Sequence, residues 1–212
     1  MLIAANWKMN LDKKSIKSFV EHLKIYNFSK NVQLCIFPPT IYIDFLSKLI
    51  KNIPISIGGQ NCHHQSFGAF TGEKCAQFGI KSSLRPIICV GENLDQRENG
   101  KAIDFIEKQI TDCLPEDFNE LTIAYEPIWS IGTGKIPLQS EIREMHKNIK
   151  EIVFSKSKKN VKVLYGGSVN KQNIQDILSV NIVDGVLVGG ASLKIKDFLA
   201  IYGSAVKHLK KL

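Results

Sequence analysis

The chain has 212 residues, 44% of them hydrophobic and 23% charged, with a formal charge of +8 and five cysteines. This is an ordinary globular composition with enough apolar material for one buried core, so a disordered or fibrous chain is excluded and a single domain over 1–212 is expected. No run approaches the ~20 apolar residues that span a bilayer, and no basic leader precedes an apolar stretch at the start, which points to a cytoplasmic protein without a membrane partner.

In chain order, short apolar runs suited to buried parallel strands recur at 2–6, 32–37, 55–58, 86–90, 121–125, 161–165 and 183–188. Helical spacing fills several of the intervals. Ile16, Phe19, Val20 and Leu23 form one apolar stripe; Ala102, Ile106, Ile110 and Cys113 form a second. Ile142, Met145, Ile149 and Val153 make a third, and Phe198, Tyr202, Val206 and Leu209 a fourth. Strand and helix alternate with no linker or composition shift, which predicts a parallel β/α architecture.

The cysteines Cys35, Cys62, Cys75, Cys89 and Cys113 are odd in number and have no Cys-x-x-Cys pair or ligand-like spacing to histidine. They read as reduced, mostly buried thiols, with neither a disulfide framework nor a metal site. The basic runs 156–159 and 207–211 lack interleaved aromatics, so a solvated surface is expected there and not a nucleic-acid partner. The net positive field favours the approach of a phosphorylated small molecule.

An open dinucleotide-binding sheet would carry a glycine-rich turn after its first strand, but that turn reads Asn6-Trp7-Lys8-Met9-Asn10. Polar and glycine-rich motifs instead follow strands at both ends and in the middle of the chain, and a closed barrel gathers all such loops on one face. The expected class is therefore a (β/α)₈ barrel.

Four strings, in order, resemble the motifs of the triosephosphate isomerase family: AANWKMN at 4–10, AYEPIWSIGTGK at 124–135, YGGSVN at 165–170 and DGVLVGGASL at 184–193. GQNCHHQSFGAFTGE at 59–73 and ICVGE at 88–92 are similar to the family as well. The resemblance implies interconversion of D-glyceraldehyde 3-phosphate and dihydroxyacetone phosphate through an enediolate, with neither metal nor organic cofactor.

Glu126, at the end of a strand and ahead of Pro127, falls where a barrel places a catalytic carboxylate, and the resemblance makes it the base. The family is a standard illustration of a glutamate base working beside a neutral histidine. Lys8 and Asn6 match the family's substrate-contacting residues, with Lys8 the cation for phosphate and developing enediolate oxygen. Gly166, Gly167 and Ser168 follow one late strand and Gly189 and Gly190 the next, where barrels commonly build a phosphate site. Ser168, Gly189 and Gly190 are the expected phosphate holders. Residues 130–134 resemble the family's closing loop, itself a standard case of lid gating, with Gly132 offering its N–H to phosphate on closure. The family pairs as homodimers through the loop containing GAFTGE, in which Thr71 matches the residue that reaches the partner.

One element of the pattern is absent. The family carries a strand ending in Gly-His-Ser-Glu, then a helix, between its third and fifth strands; here 78–84 runs straight into 85–89. A fourth β/α unit and its histidine electrophile are missing, and the short helix before it, near 74–77, is trimmed. A typical barrel has ~250 residues and one unit occupies ~30 or more, so the shortfall is about one unit. His22, His146 and His208 fall in helical segments, and His63 and His64 follow the third strand, so no electrophile is assigned. Loss of one oxyanion-type donor reduces turnover by ~10² to 10³, which frames the alternative of an impaired relative that binds phosphorylated trioses without turnover. Another sugar-phosphate isomerase is disfavoured because Asn6, Lys8 and Glu126 occur together.

Overall fold

A computed structural model describes residues 1–63, 65, 68–69, 80 and 83–211. Among them seven strands and seven α-helices follow one another as β1 (Leu2–Asn6), α1 (Lys13–Lys24), β2 (Gln33–Phe37), α2 (Ile43–Leu49), β3 (Ile55–Ile57), β4 (Ile87–Val90), α3 (Leu94–Glu98), α4 (Ala102–Cys113), β5 (Thr122–Tyr125), α5 (Gln139–Ser157), β6 (Lys162–Tyr165), α6 (Ile174–Leu178), β7 (Gly185–Val188) and α7 (Ile195–Leu209). They gather into two compact units. No helix among the described residues is long and apolar enough to cross a membrane.

The first unit comprises Met1–Gln60, Ser168–Ser179 and Gly185–Leu212. Its centre is β1, which pairs in parallel with β2 (Ile3 opposite Leu34) and with β7 (Ile3 opposite Val186), while β2 pairs onward with β3. Ile3, Ala4 and Ala5 are all buried, the near-continuous apolar strand of a sheet covered on both faces. Helix α1 starts where the Asp12 carboxylate accepts the Ser15 N–H at 2.8 Å, and it buries Ile16, Phe19, Val20 and Leu23. Phe19 meets the Trp7 ring edge-on at 5.2 Å and Phe198 of α7 at 6.0 Å. Full burial of side chains this size contributes ~2–3 kcal/mol each.

The second unit comprises Asn61–Gly167 and Val180–Asp184. Here β5 is central, in parallel register with β4 (Ile88 opposite Ile123) and β6 (Ile123 opposite Val163). Helices α4 and α5 cover it with Ile106 and Ile110 from one and Ile142, Met145, Ile149 and Val153 from the other. The short α3 survives at five residues because Asn93 and Gln96 cap each other reciprocally, at 2.9 and 2.8 Å.

All seven strands lie within the runs read from the sequence, and the four apolar stripes fall on α1, α4, α5 and α7. Among the described residues β3 pairs only with β2 and β4 only with β5. The cysteine expectation requires correction: Cys62, Cys89 and Cys113 are exposed and Cys35 is half-buried. Cys89 points away from the face that Ile88 and Val90 bury, Cys113 ends a helix and Cys62 lies in a loop, so none sits on a core-facing position. His64, Thr71, Cys75 and the trimmed helix near 74–77 lie outside the described residues.

Candidate active site

Within the first unit, Asn6 closes β1 and Lys8 follows in a left-handed conformation with φ of 51°. Such a backbone costs a non-glycine residue of order 1 kcal/mol and persists only where neighbours hold it. The Lys8 N–H donates to Asn6 Oδ1 at 2.8 Å, and its carbonyl accepts from Gln60 Nε2 at 2.8 Å. Gln60 donates also to the Phe37 carbonyl, at 3.0 Å, and so ties the ends of β1 and β2 together. Trp7, fully buried between these two residues, fixes the backbone and leaves the Lys8 side chain exposed.

That side chain reaches the end of β7. A Cβ built on Gly189 would sit 3.7 Å from Lys8 Cε and 3.9 Å from its Nζ. Gly190 then opens a 3₁₀ turn over Gly190–Leu193, and the Ser192 N–H and hydroxyl both donate to the Gly189 carbonyl. Ser168 is half-buried, and its carbonyl accepts from Asn173 Nδ2 at 2.9 Å. A cationic side chain beside a glycine-bared backbone suits an anion.

Within the second unit, Glu126 directly follows the last residue of β5 and is half-buried. Its N–H donates to the Val90 carbonyl at 2.7 Å, and the Gly166 N–H donates to the Tyr125 carbonyl at 2.7 Å. Glycines flank it because nothing larger fits: a Cβ on Gly91 would collide with the Glu126 carbonyl, and one on Gly166 would reach its Cγ. Cys89 lies beside it. Although its surface is open to solvent, dense protein around Cys89 and then the Glu126 charge push that thiol above its ordinary range, so it stays neutral next to the carboxylate.

The predicted lid follows directly. A 3₁₀ turn, Ile128–Ser130, leads into Gly132 and Gly134, both at positive φ (70° and 77°), a conformation that glycine adopts without strain. Buried Ser130 closes the base of this loop by donating its hydroxyl to the Lys135 carbonyl at 2.6 Å, with Tyr165 Oη 3.3 Å away. Burial pushes the Tyr165 phenol up to about 12, partly countered by Ser130, so it too remains protonated.

Sequence reasoning named ICVGE but gave Glu92 no role. It is fully buried, accepts from Tyr125 Oη at 3.0 Å and Trp129 Nε1 at 2.9 Å, and lies 3.7 Å from the Arg97 guanidinium. Gln60 and Arg97 are likewise without a role in the sequence reading, and Cys89 figures there only as one of five reduced thiols. A carboxylate at the end of a buried strand was the available signal for Glu92, while Gln60 and Cys89 carry none that spacing reveals.

The chain matches the family model described as triosephosphate isomerase over residues 1–78 and 73–205. Among proteins carrying that name, it is 33% identical to one from Leptospira interrogans over 246 aligned positions, covering 95% of this chain and 98% of that protein. It is 36% identical to one from Finegoldia magna, covering 93% and 95%, and 32% identical to one from Saccharomyces cerevisiae, covering 95% and 97%. In the first of these, 95% of 212 residues is about 201, which leaves about 45 of the 246 positions filled only by the relative, the scale of one β/α unit. The motifs, the alternating parallel strands and near-complete coverage of full-length relatives agree: the chain belongs to the triosephosphate isomerase family and has its β/α fold, with seven strands among the described residues.

Proposed function

We propose that Glu126 is the base in the interconversion of D-glyceraldehyde 3-phosphate and dihydroxyacetone phosphate, the reaction of the family to which the chain belongs. The carboxylate takes a proton from the carbon next to the carbonyl, giving an enediolate, and returns it to the neighbouring carbon, while the hydroxyl proton passes from one of the two enediolate oxygens to the other. Lys8, with Asn6 holding its backbone, stabilises the developing oxyanion and binds substrate. Gly132, Ser168, Gly189 and Gly190 offer backbone N–H groups or a hydroxyl to the phosphate, and the loop 130–134 closes over the reaction. No histidine is assigned as electrophile, so Lys8 carries that charge stabilisation. The reaction calls for neither metal nor organic cofactor.

The observation that carries this reading is the seating of Glu126 at the C-terminal end of β5, wedged between Gly91 and Gly166, in a chain 95% of which aligns with a family member. The chain works in the cytoplasm as a homodimer by family likeness, with Thr71 at the contact. Isomerisation of D-glyceraldehyde 3-phosphate by the 212-residue chain, beside a Glu126→Gln variant, tests the proposal. Turnover lost in the variant supports the assignment; equal turnover in both removes Glu126 from it.

A further inference from the structure

We infer that Arg97 is a positioning residue that ties both shoulders of the lid to α3, so that one guanidinium sets where the loop begins and where it ends. The inference rests on the proposed lid role of 130–134 and gives a task to Arg97, so far described only as a neighbour of Glu92.

Arg97 sits in the last turn of α3 with its side chain largely buried, and it faces in two directions. On the leading shoulder, the guanidinium stands over the Trp129 ring, 5.9 Å from its centre, and 3.7 Å from Glu92 Oε1. That same Glu92 oxygen accepts the Trp129 indole N–H at 2.9 Å. On the trailing shoulder, Arg97 donates to Glu141 Oε1 at 2.6 Å. Glu141 in turn accepts the Leu138 N–H through Oε2 at 2.7 Å. Leu138 offers no polar side chain to cap α5, so this carboxylate is what fixes the first turn after the lid. Between Trp129 and Leu138 lies the whole glycine-containing loop.

The chemistry requires arginine. A planar fork can reach two carboxylates and stand over an indole at once, whereas a lysine ammonium is a single point charge. Glu92 is fully buried and its Oε2 has no hydrogen-bond partner among the described residues, so the charge of Arg97 is also what compensates that carboxylate. Hinges absorb dihedral change at a few residues and need fixed anchors on either side.

The test uses limited trypsin digestion of the native full chain, followed by mass spectrometry, on wild type, Arg97→Lys and Arg97→Met. Lys135 directly follows the lid, inside the span between Trp129 and Leu138, and Lys158 lies just past α5, so the two cleavage sites report the loop and the general fold separately. Arg97→Met is expected to raise the cleavage rate after Lys135 about tenfold while that after Lys158 changes less than about twofold, with Arg97→Lys between. Per folded molecule, kcat falls by a similar factor and KM moves less. Rates that rise together at both sites, or an unchanged rate at Lys135 in Arg97→Met, overturn the inference. A wild type that fails to turn over substrate yet shows lid-specific cleavage in Arg97→Met keeps the clamp and removes the isomerase reading instead.

Discussion

A methyl group placed on Gly166 would lie 2.5 Å from Cγ of Glu126, and 3.4 Å from the carbonyl oxygen of Tyr125. The obstructed atom is in the middle of the glutamate side chain, so relief comes from moving the carboxylate itself. Gly166→Ala should therefore lower kcat by ~10²-fold through misplacement of the base, with a smaller change in KM. Steady-state kinetics with the fold verified by circular dichroism decide the matter; a wild-type kcat would mean that Glu126 has room to move without consequence.

Gln60 offers a comparable test for Lys8. Its amide donates to both the Lys8 and Phe37 carbonyls, and Lys8 holds a left-handed backbone that neighbours must support. Gln60→Leu should remove both bonds, leaving the Phe37 carbonyl with the Trp7 N–H alone and the exposed Lys8 carbonyl to water, cost ~0.5–1.5 kcal/mol of stability and release the Lys8 loop. Affinity for phosphoglycolate, measured by competitive inhibition, should weaken by about tenfold, the equivalent of ~1.4 kcal/mol. Unchanged inhibition would show that Asn6 alone suffices to hold Lys8.

The strands were legible because each is an apolar run of limited length, as in Val163, Leu164 and Tyr165, all buried. The long helices were legible from their stripes, and Glu126 from its place at a strand end. The short elements were not. Helix α3 is held by a reciprocal cap between Asn93 and Gln96, and α2 buries only Leu46, so neither builds enough periodicity to stand out. Contacts such as Gln60 with Lys8, or Arg97 with Glu141, join residues 52 and 44 positions apart, and no local pattern encodes them. His146 was placed on its helix but not recognised as buried, since it interrupts an otherwise apolar stripe.

Among the described residues the sheet ends at β4, and that edge has a consequence for exchange. Among the described residues β4 pairs only with β5, while β5 pairs on both sides, with β4 and β6. An unpaired edge leaves alternate N–H groups of a strand without a ladder partner. Hydrogen exchange followed by mass spectrometry or NMR should find part of Ile87–Val90 exchanging at the fast rates of local opening, with Thr122–Tyr125 protected. Uniform slow exchange across β4 would mean that another segment pairs with it.

His146 sets an acid limit on the second unit. It projects from α5 into the core, meets the Tyr125 ring edge-on at 6.1 Å, and neither ring nitrogen has a hydrogen bond of ordinary geometry. Burial, and then the charge of Lys150 one turn on, lower its pKa to about 3, with the Ile182 carbonyl pulling weakly the other way. Lys150 is itself paired with Asp184 at 2.7 Å, which keeps that cation in place. The unfolded imidazole titrates near 6.5, so below that pH the unfolded chain binds a proton that the folded one refuses. The stability that neutral His146 permits is complete above about pH 6.5 and declines as the pH falls toward 3, by at most ~1.4 kcal/mol per unit. Urea midpoints at pH 7.5, 5.5 and 4.5 should therefore fall more steeply for wild type than for His146→Met, a swap that puts an apolar, non-titrating side chain in the same space. Carboxylate titration is common to both proteins and cancels in the comparison. Parallel slopes would show that His146 finds a partner for its proton on acidification and does not limit the fold.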